Sequence, residues 1–527
     1  MNTIVYLISE ILQIIIVVIL SISFMTAQYN ARIKESINLI ELSIWGLGCG
    51  ILLYMGIPMK METMPEQGQL GEMMWPTLLP NKIIIAEGLL INNLGINLVK
   101  ILILISTCII IKLGQTYFIE KGLHKVGKKQ LETGIILMIL ATIGMCLLIS
   151  SKDLISLYVA LELQSLSLYV LTTIVRNKKS TEGALKYFVL GAMATGFILF
   201  GSTYVYGSLG SGDMEIITWS SQGMEEGEKG LLMGITLILI GLLLKLSAAP
   251  WHMWTPDVYE GAPTIITAYF SVVPKLALLV LGVRIYLTSG VNNTGYLGLQ
   301  YIIILAAISS MIIGSISALN QTQLKRLLAY STIGHVGYIL IGVSLGTYSG
   351  LEGSIFYLLI YMTAGIAIFI MVLSLKNREK IVELFGLGKL NTTLGISLVI
   401  LLFSIGGIPP LSGFISKFLV FYAAIESGGY FIAIIGVLAS VVSILYYLKL
   451  IRYVYQDSNG LVPLTAILDT YKKEENEYIM RPYFKITNFG SLLLGLLIFI
   501  TLFLIINPSP VFLAAGWISQ ELVSGGM

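Results

Sequence analysis

The chain is a succession of uninterrupted apolar runs, separated by short polar turns from one end to the other. Each run is about 20 residues long, the length an α-helix needs to cross the hydrocarbon core of a bilayer at about 1.5 Å per residue. Spanning strands would instead leave short segments of alternating polarity, so helices are the expected spanning elements. Composition agrees: 56% of the 527 residues are hydrophobic and 12% charged, with a mean hydropathy of +0.87, against roughly a quarter charged in soluble domains. The expected fold class is an all-α polytopic membrane protein.

A formal charge of +3, with the lysines dispersed between apolar runs, argues against a nucleic-acid surface. Cys49, Cys108 and Cys146 lie singly inside apolar runs with no CxxC spacing, which speaks against disulfides, iron-sulfur clusters and a structural metal. The absence of paired histidines at matching depth speaks against haem, and that of a Gly-rich loop after a strand speaks against a nucleotide site. The first apolar run starts a few residues after Met1 without a basic flank. It is too long for the apolar region of a cleaved signal, and is expected to remain in the mature protein.

Apolar runs and turn clusters place about fourteen helices. Runs 1 to 5 are Ile4 to Met25, Asn38 to Ile57, Ile96 to Leu113, Gly134 to Ser150 and Leu154 to Val175. Runs 6 to 10 are Gly183 to Gly207, Gly230 to Ala249, Pro263 to Leu287, Leu297 to Leu319 and Leu327 to Gly346. Runs 11 to 14 are Gly353 to Leu375, Thr393 to Ser427, Tyr430 to Tyr453 and Phe489 to Ile506. Loops after runs 1, 3, 5, 9, 11 and 13 carry about 23 basic residues, and loops on the other side about five. The basic loops are therefore expected inside, and both termini on the outer side.

Run 6 opens EGALKYFVLGAMATG at Glu182 and run 11 opens EGSIFYLLIYMTAG at Glu352, with Glu, Gly and Tyr at the same spacing. Each is followed by a segment too long for one span and interrupted by proline, around Pro250 and Pro256 and around Pro409 and Pro410. Five runs per unit is an odd number, so runs 4 to 8 and runs 9 to 13 form two inverted five-helix repeats with discontinuous helices 7 and 12, an architecture of transporters. The division expected is 1–133 for helices 1 to 3, 134–290 and 291–455 for the repeats, and 456–527 for an inner insertion and helix 14. Unpaired backbone at membrane depth is tolerated only against protein or water, so the two breaks mark a pathway.

Glu162, Lys245, Lys275, His335 and Lys417 fall inside apolar runs. Ionisable groups cost a few kcal/mol at mid-bilayer and persist where they face the bundle interior and find a partner. In a medium of low dielectric the charged and neutral forms approach each other in free energy, so a neighbouring charge can load or unload a proton. These five residues are expected to form a water-bridged chain of proton sites; the alternative is a static Glu-Lys pair beside a satisfied core histidine. Lys100 is expected to snorkel from the outer end of its run. Asp257 and Glu260 are expected to cap a helix, and Lys325 and Arg326 to anchor the topology.

Five stretches then resemble one family: LYVALELQSLSLYVL, STEGALKYFVLGAMATG, KLSAAPWHMWTPDVYEGAPT, QLKRLLAYSTIGHVGYILIG and FSIGGIPPLSGFISKF. They are similar to subunit 2 of respiratory complex I, called subunit N in bacteria, over about Gly134 to Tyr453. The resemblance implies an antiporter-like membrane-arm subunit that pumps protons while other subunits move electrons from NADH to quinone. Its family positions match one by one: the helix 5 glutamate at Glu162, and the lysines of helices 7, 8 and 12 at Lys245, Lys275 and Lys417. The helix 10 histidine falls at His335. It also implies that NADH, FMN, iron-sulfur clusters and ubiquinone belong to the rest of the complex, with no metal or cofactor held by this chain. Partners implied are the antiporter-like subunit 4, small subunits of the 4L type, and lipids. The phrasing of the helix 10 motif points to the mitochondrial inner membrane, with a bacterial plasma membrane as the alternative. Loops 60–87 and 456–485 fit the family poorly and look like lineage-specific insertions. Two other readings stay open at this stage: a cation/proton antiporter of Mrp type, and a membrane-arm subunit that transmits conformational change without passing protons.

Overall fold

Two of the helices are broken, and the rest of the architecture is arranged around those breaks. The computed structural model describes residues 83–85, 89–120, 126–222, 229–289, 297–375, 380–456 and 488–525. Runs 1 and 2 and most of both loop insertions lie outside the described residues, as does Cys49. A short hairpin, β1 (Ile83–Ile85) and β2 (Leu90–Asn92), leads into α1 (Leu94–Glu120), α2 (Val126–Ser150), α3 (Leu154–Thr172) and α4 (Lys178–Leu209). Next come α5 (Met214–Gln222), α6 (Lys229–Lys245), α7 (Trp254–Gly261), α8 (Thr264–Thr288), α9 (Leu297–Leu319) and α10 (Leu324–Ser344). The chain continues through α11 (Tyr348–Ser374), α12 (Leu387–Leu390), α13 (Thr392–Gly406), α14 (Ser412–Glu426), α15 (Tyr430–Tyr455), α16 (Asn488–Ile506) and α17 (Ser509–Gly525).

Among the described residues ten helices are long and apolar enough to cross a membrane, and α6 and α13 are shorter apolar helices. Runs 3 to 14 are all helical, runs 7 and 12 being split into α6/α7 and α13/α14. Three α-helices were not expected. α5 occupies the acidic loop after run 6, the single-turn α12 the loop after run 11, and α17 follows run 14.

Contacts between helix ends sort them into two sets. At one end Tyr286 and Gln300 donate to the carbonyl of Ser344 at 3.1 Å each, and Ser221 donates to that of Thr288 at 3.1 Å. Lys152 joins this end, paired with Asp213 and Glu215 of the α5 region at 2.9 Å each. Burial alone would push the Lys152 ammonium down, yet these two carboxylates hold it above its ordinary value. At the opposite end Lys325 donates to Ala262 O at 3.3 Å and Lys449 to Leu319 O at 2.9 Å.

Lipid gives no hydrophobic reason for helices to associate, so packing depends on close approach at small residues. A methyl on Gly201 would run into the backbone of Gly234, which seats α4 on α6, and one on Gly314 would meet Gly334 between α9 and α10. Leucine, isoleucine and phenylalanine remain on the outward faces, as with Leu438, Val441 and Leu445 of α15 and Leu492, Phe499 and Ile506 of α16. By contrast α8 and α10 are buried along almost their whole length. These two central helices carry Lys275 and His335.

Candidate proton pathway

The first break follows Lys245, the last residue of α6. Ser247 takes a left-handed φ of +64° and the chain restarts as α7 at Trp254. The second follows Gly406; Gly407 has φ +80°, a conformation glycine adopts without steric cost, and the chain restarts at Ser412. Each half-helix preceding a break thus ends inside the bundle, with carbonyls that have no helical partner. At the second break Lys417 answers this directly: its Nζ donates to Gly406 O at 2.7 Å. At the first break Lys245 itself occupies the last turn of α6. In both cases a cation sits at the negative end of a helix dipole.

Lys245 and Lys275 line one cavity, together with Gln164, Ser165, Tyr169, Tyr187, Ser247, Trp254, Tyr259 and Pro274. The Nζ atoms of both lysines, Gln164 Oε1 and Ser247 Oγ are buried, and among the described residues no atom hydrogen-bonds them. Four buried polar atoms around one space meet the conditions for bound water. Pro274, one residue before Lys275, has no amide to offer the carbonyl of Phe270, which also lines the cavity, so a further acceptor is freed there. Glu162 is half-buried, and its charge acts on Lys245. Ser165, on the cavity wall, donates to Glu162 Oε2 at 3.4 Å and so ties the carboxylate to the same space.

Beyond Lys275 the side chains are aromatic. Lys275 Nζ lies 5.9 Å from the centre of the Tyr361 ring, and that ring is 5.1 Å from His335. His335 is 4% exposed and is held at both nitrogens, Nδ1 2.7 Å from Tyr357 Oη and Nε2 3.2 Å from Tyr447 Oη. Tyr338, ring to ring with both His335 and Tyr357, presents its face to Lys417 Nζ at 4.9 Å. The structure therefore brings Lys245 and Lys275 to one cavity, with Glu162 at its edge. Lys275, His335 and Lys417 are linked through tyrosines 338, 357, 361 and 447.

Sequence reading missed those tyrosines. The available signal was their depth: membrane tyrosines gather at the interfaces, whereas these lie inside their runs.

Two expectations are corrected. Lys100 does not snorkel: it is 0% exposed, and its Nζ donates to Asn92 Oδ1 at 3.5 Å. Asp257 and Glu260 do not cap a helix; they join α7 to α4 and α10. Asp257 pairs with Lys186 at 2.7 Å and Arg326 at 3.3 Å, and Glu260 with Lys179 at 2.9 Å and Arg326 at 3.0 Å. Lys325 and Arg326, expected to anchor the topology, lie in the first turn of α10, where Lys325 is buried. No group of three or more metal-ligating side chains gathers among the described residues.

Residues 151–443 match the family model described as NADH:quinone oxidoreductase/Mrp antiporter, TM, a match over more than half the chain. The chain belongs to this family. Among curated relatives, the NADH-ubiquinone oxidoreductase chain 2 of Marchantia polymorpha is 40% identical over 438 residues, 81% of this chain and 84% of that one. The NADH-quinone oxidoreductase subunit N of Rhodospirillum rubrum is 46% identical over 343 residues, 64% and 70% of the two chains. Among solved structures, a chain of respiratory complex I from Thermus thermophilus aligns over 94% of this chain and 98% of its own, with TM-score 0.69 and 25% identity. A chain of the Mrp complex from Dietzia sp. DQ12-45-1b has the same fold, with TM-score 0.75 at 18% identity over 98% of each chain.

Proposed function

We propose that this chain is a proton-translocating membrane-arm subunit of an NADH:quinone oxidoreductase, and that Glu162, Lys245, Lys275, His335 and Lys417 carry the protons. The observation that carries this reading is the cavity shared by Lys245 and Lys275, with both ammonium nitrogens directed at buried space and not at a protein acceptor. A static structural pair would close that space around itself. In this reading the Glu162 carboxylate is the counter-charge of Lys245. When Glu162 takes up a proton, Lys245 loses that support and gives its own proton to water in the cavity, from which neutral Lys275 takes one up.

His335 passes protons on without becoming charged. Neutral imidazole has one N–H and one bare nitrogen. One tyrosine hydroxyl gives its proton to the bare nitrogen and takes a replacement proton from its own side of the chain, while the opposite N–H gives its proton to the other tyrosine oxygen, whose own hydroxyl proton moves on along the chain. The ring ends in the other tautomer, and charge balances across the step. Lys417 then exchanges a proton at the second break, where Gly406 O holds the charged form.

The surrounding assignments follow. Residues 134–290 and 291–455 act as two inverted units, one break in each, and the basic loops face the inner compartment of the mitochondrial inner membrane or of a bacterial plasma membrane. NADH, FMN, iron-sulfur clusters and quinone are handled by other subunits, and the neighbours are a subunit 4-like antiporter-type chain and small membrane subunits of the 4L type. Replacing Lys275 by Met in the assembled complex tests the reading. Electron transfer from NADH to quinone continues and the proton translocation per NADH falls; a Lys275→Met complex with full pumping would remove Lys275 from the path. Sodium-for-proton exchange by the isolated chain in vesicles would instead favour the Mrp-type antiporter.

A further inference from the structure

A second buried polar cluster lies away from the central chain. It is at the end of the bundle where α1 begins and α8 finishes, the end that the charge pattern places outside. The last described helix, α17, packs there against α1 and brings Glu521 to the start of α1, where Glu521 Oε2 accepts from Gly95 N at 2.7 Å. The approach is close enough that a methyl on Gly95 would touch both the carboxylate and the Ile518 backbone, at 3.2 Å each. Glu521 lines a small cavity with Asn93 and Arg284. Asn93 is buried, and its Oδ1, like Asn92 Nδ2 and Asn97 Oδ1, has no hydrogen-bond partner among the described residues. Arg284 is also buried, and one of its nitrogens donates to Ile149 O at 3.1 Å. The carboxylates acting on it are Glu215 and Asp213, which also hold Lys152.

Lys100 follows the cavity-wall residue Val99 in α1, and its Nζ donates to Asn92 Oδ1 at 3.5 Å, next in sequence to the wall residue Asn93. It follows the start of α1 by six residues, about 9 Å at 1.5 Å each. Lys275 precedes the end of α8 by thirteen, about 20 Å by the same rise. In depth Lys100 is therefore between Lys275 and Glu521, on a helix packed against the one that carries Lys275.

We infer that Lys100 and Glu521, with Arg284 as a fixed positive charge, form the outlet through which protons leave the central chain toward the outer compartment. The inference rests on the proton-pumping reading above. Lys100 is the carrier: its ammonium gives a proton to water held among the asparagines of the α1 entrance, and it is recharged from the Lys275 cavity, which Lys245 fills from the first break and Lys417, through His335, from the second. Glu521 is the release group, taking that proton on its carboxylate and losing it to the outer solution. Arg284 does not give up a proton under any physiological condition and lies in the field of Glu215 and Asp213. The Gly95 amide, donating to Oε2, favours the ionised carboxylate, so that Glu521 is returned ready for the next proton.

The test compares Lys100→Met, Lys100→Arg and Glu521→Gln with Lys275→Met, all in the intact complex reconstituted in sealed vesicles. Proton movement and NADH oxidation are read together. Glutamine keeps the oxygen that accepts from Gly95, and arginine keeps the charge at position 100 but cannot pass a proton, so Lys100→Arg carries the test if Lys100→Met does not assemble. The expected result is that all three oxidise NADH and that their proton yield per NADH falls to the level of Lys275→Met. Normal yield in Lys100→Arg or in Glu521→Gln, with Lys275→Met impaired, overturns the outlet while leaving the central chain in place. Normal yield in Lys275→Met overturns the pumping reading, and the outlet with it.

Discussion

Removing one hydroxyl beside His335 should interrupt proton passage as completely as removing two. The imidazole is gripped between Tyr357 Oη at 2.7 Å and Tyr447 Oη at 3.2 Å, and all three side chains are buried. A tautomer exchange needs a donor at one nitrogen and an acceptor at the other, so the two hydroxyls act in series. Tyr357→Phe or Tyr447→Phe leaves one buried nitrogen without a partner, at a cost of about 1–3 kcal/mol. With about 1.4 kcal/mol for each factor of ten, passage through His335 slows by roughly 5- to 150-fold. Because either loss breaks the series, the double variant should be no worse than the more impaired single one, a strongly non-additive result. Vesicles containing the purified complex, with NADH oxidation and internal acidification recorded on the same sample, give the proton yield per NADH. Full yield in either single variant, or losses that multiply in the double, would refute the series arrangement.

Three further outcomes follow from packing and charge. Gly413→Ala drives a methyl into the carbonyl of Ser404, a backbone group that cannot yield, so it should cost about 3 kcal/mol and show as loss of assembled complex on a native gel. Lys152→Met strands Asp213 and Glu215, both partly buried, and should lower the thermal midpoint of the complex by an amount equivalent to about 1–2 kcal/mol. Since the Lys152 ammonium is held above its ordinary value by these carboxylates, its share of that contribution is present up to the usual lysine range, about 10.4, and is lost as pH rises beyond it. Glu260→Gln cuts two ion pairs at the partly exposed end of α7; it should cost about 1 kcal/mol at most and leave the proton yield per NADH unchanged.

The spans were legible because a 20-residue apolar run has few other uses, and both breaks were marked by proline at membrane depth. The ionisable residues were legible because each stood alone in such a run. What escaped shares one physical origin, contact between segments remote in sequence. Tyr357 and Tyr447 read as core residues until the fold sets them on either side of His335. Lys100, six residues into its helix, sits where a lysine can equally well reach the interface or stay inside; α17, 426 residues away through the Glu521 to Gly95 bond, closes over the entrance and keeps it in. α5 and α17 were passed over because their 9 and 17 residues are too short to stand out among spanning runs. Asp257 was legible only as a flank of the broken segment, a local cue for capping, whereas its partners come from α4 and α10.

The bond between Glu521 and Gly95 also has a bearing on how such a protein is made. Helices enter the membrane in order as they are synthesised, and every contact among α2 to α15 can form before α17 has been made. The contact at the α1 entrance forms later, because one of its partners lies 426 residues further along the chain than the other. The polar cavity lined by Arg284 and Asn93 therefore gains its carboxylate only once α17 has joined α1. A chain made as far as α16 would thus hold the spanning helices described here and still lack Glu521, and the same late step fixes the geometry of its outer charges.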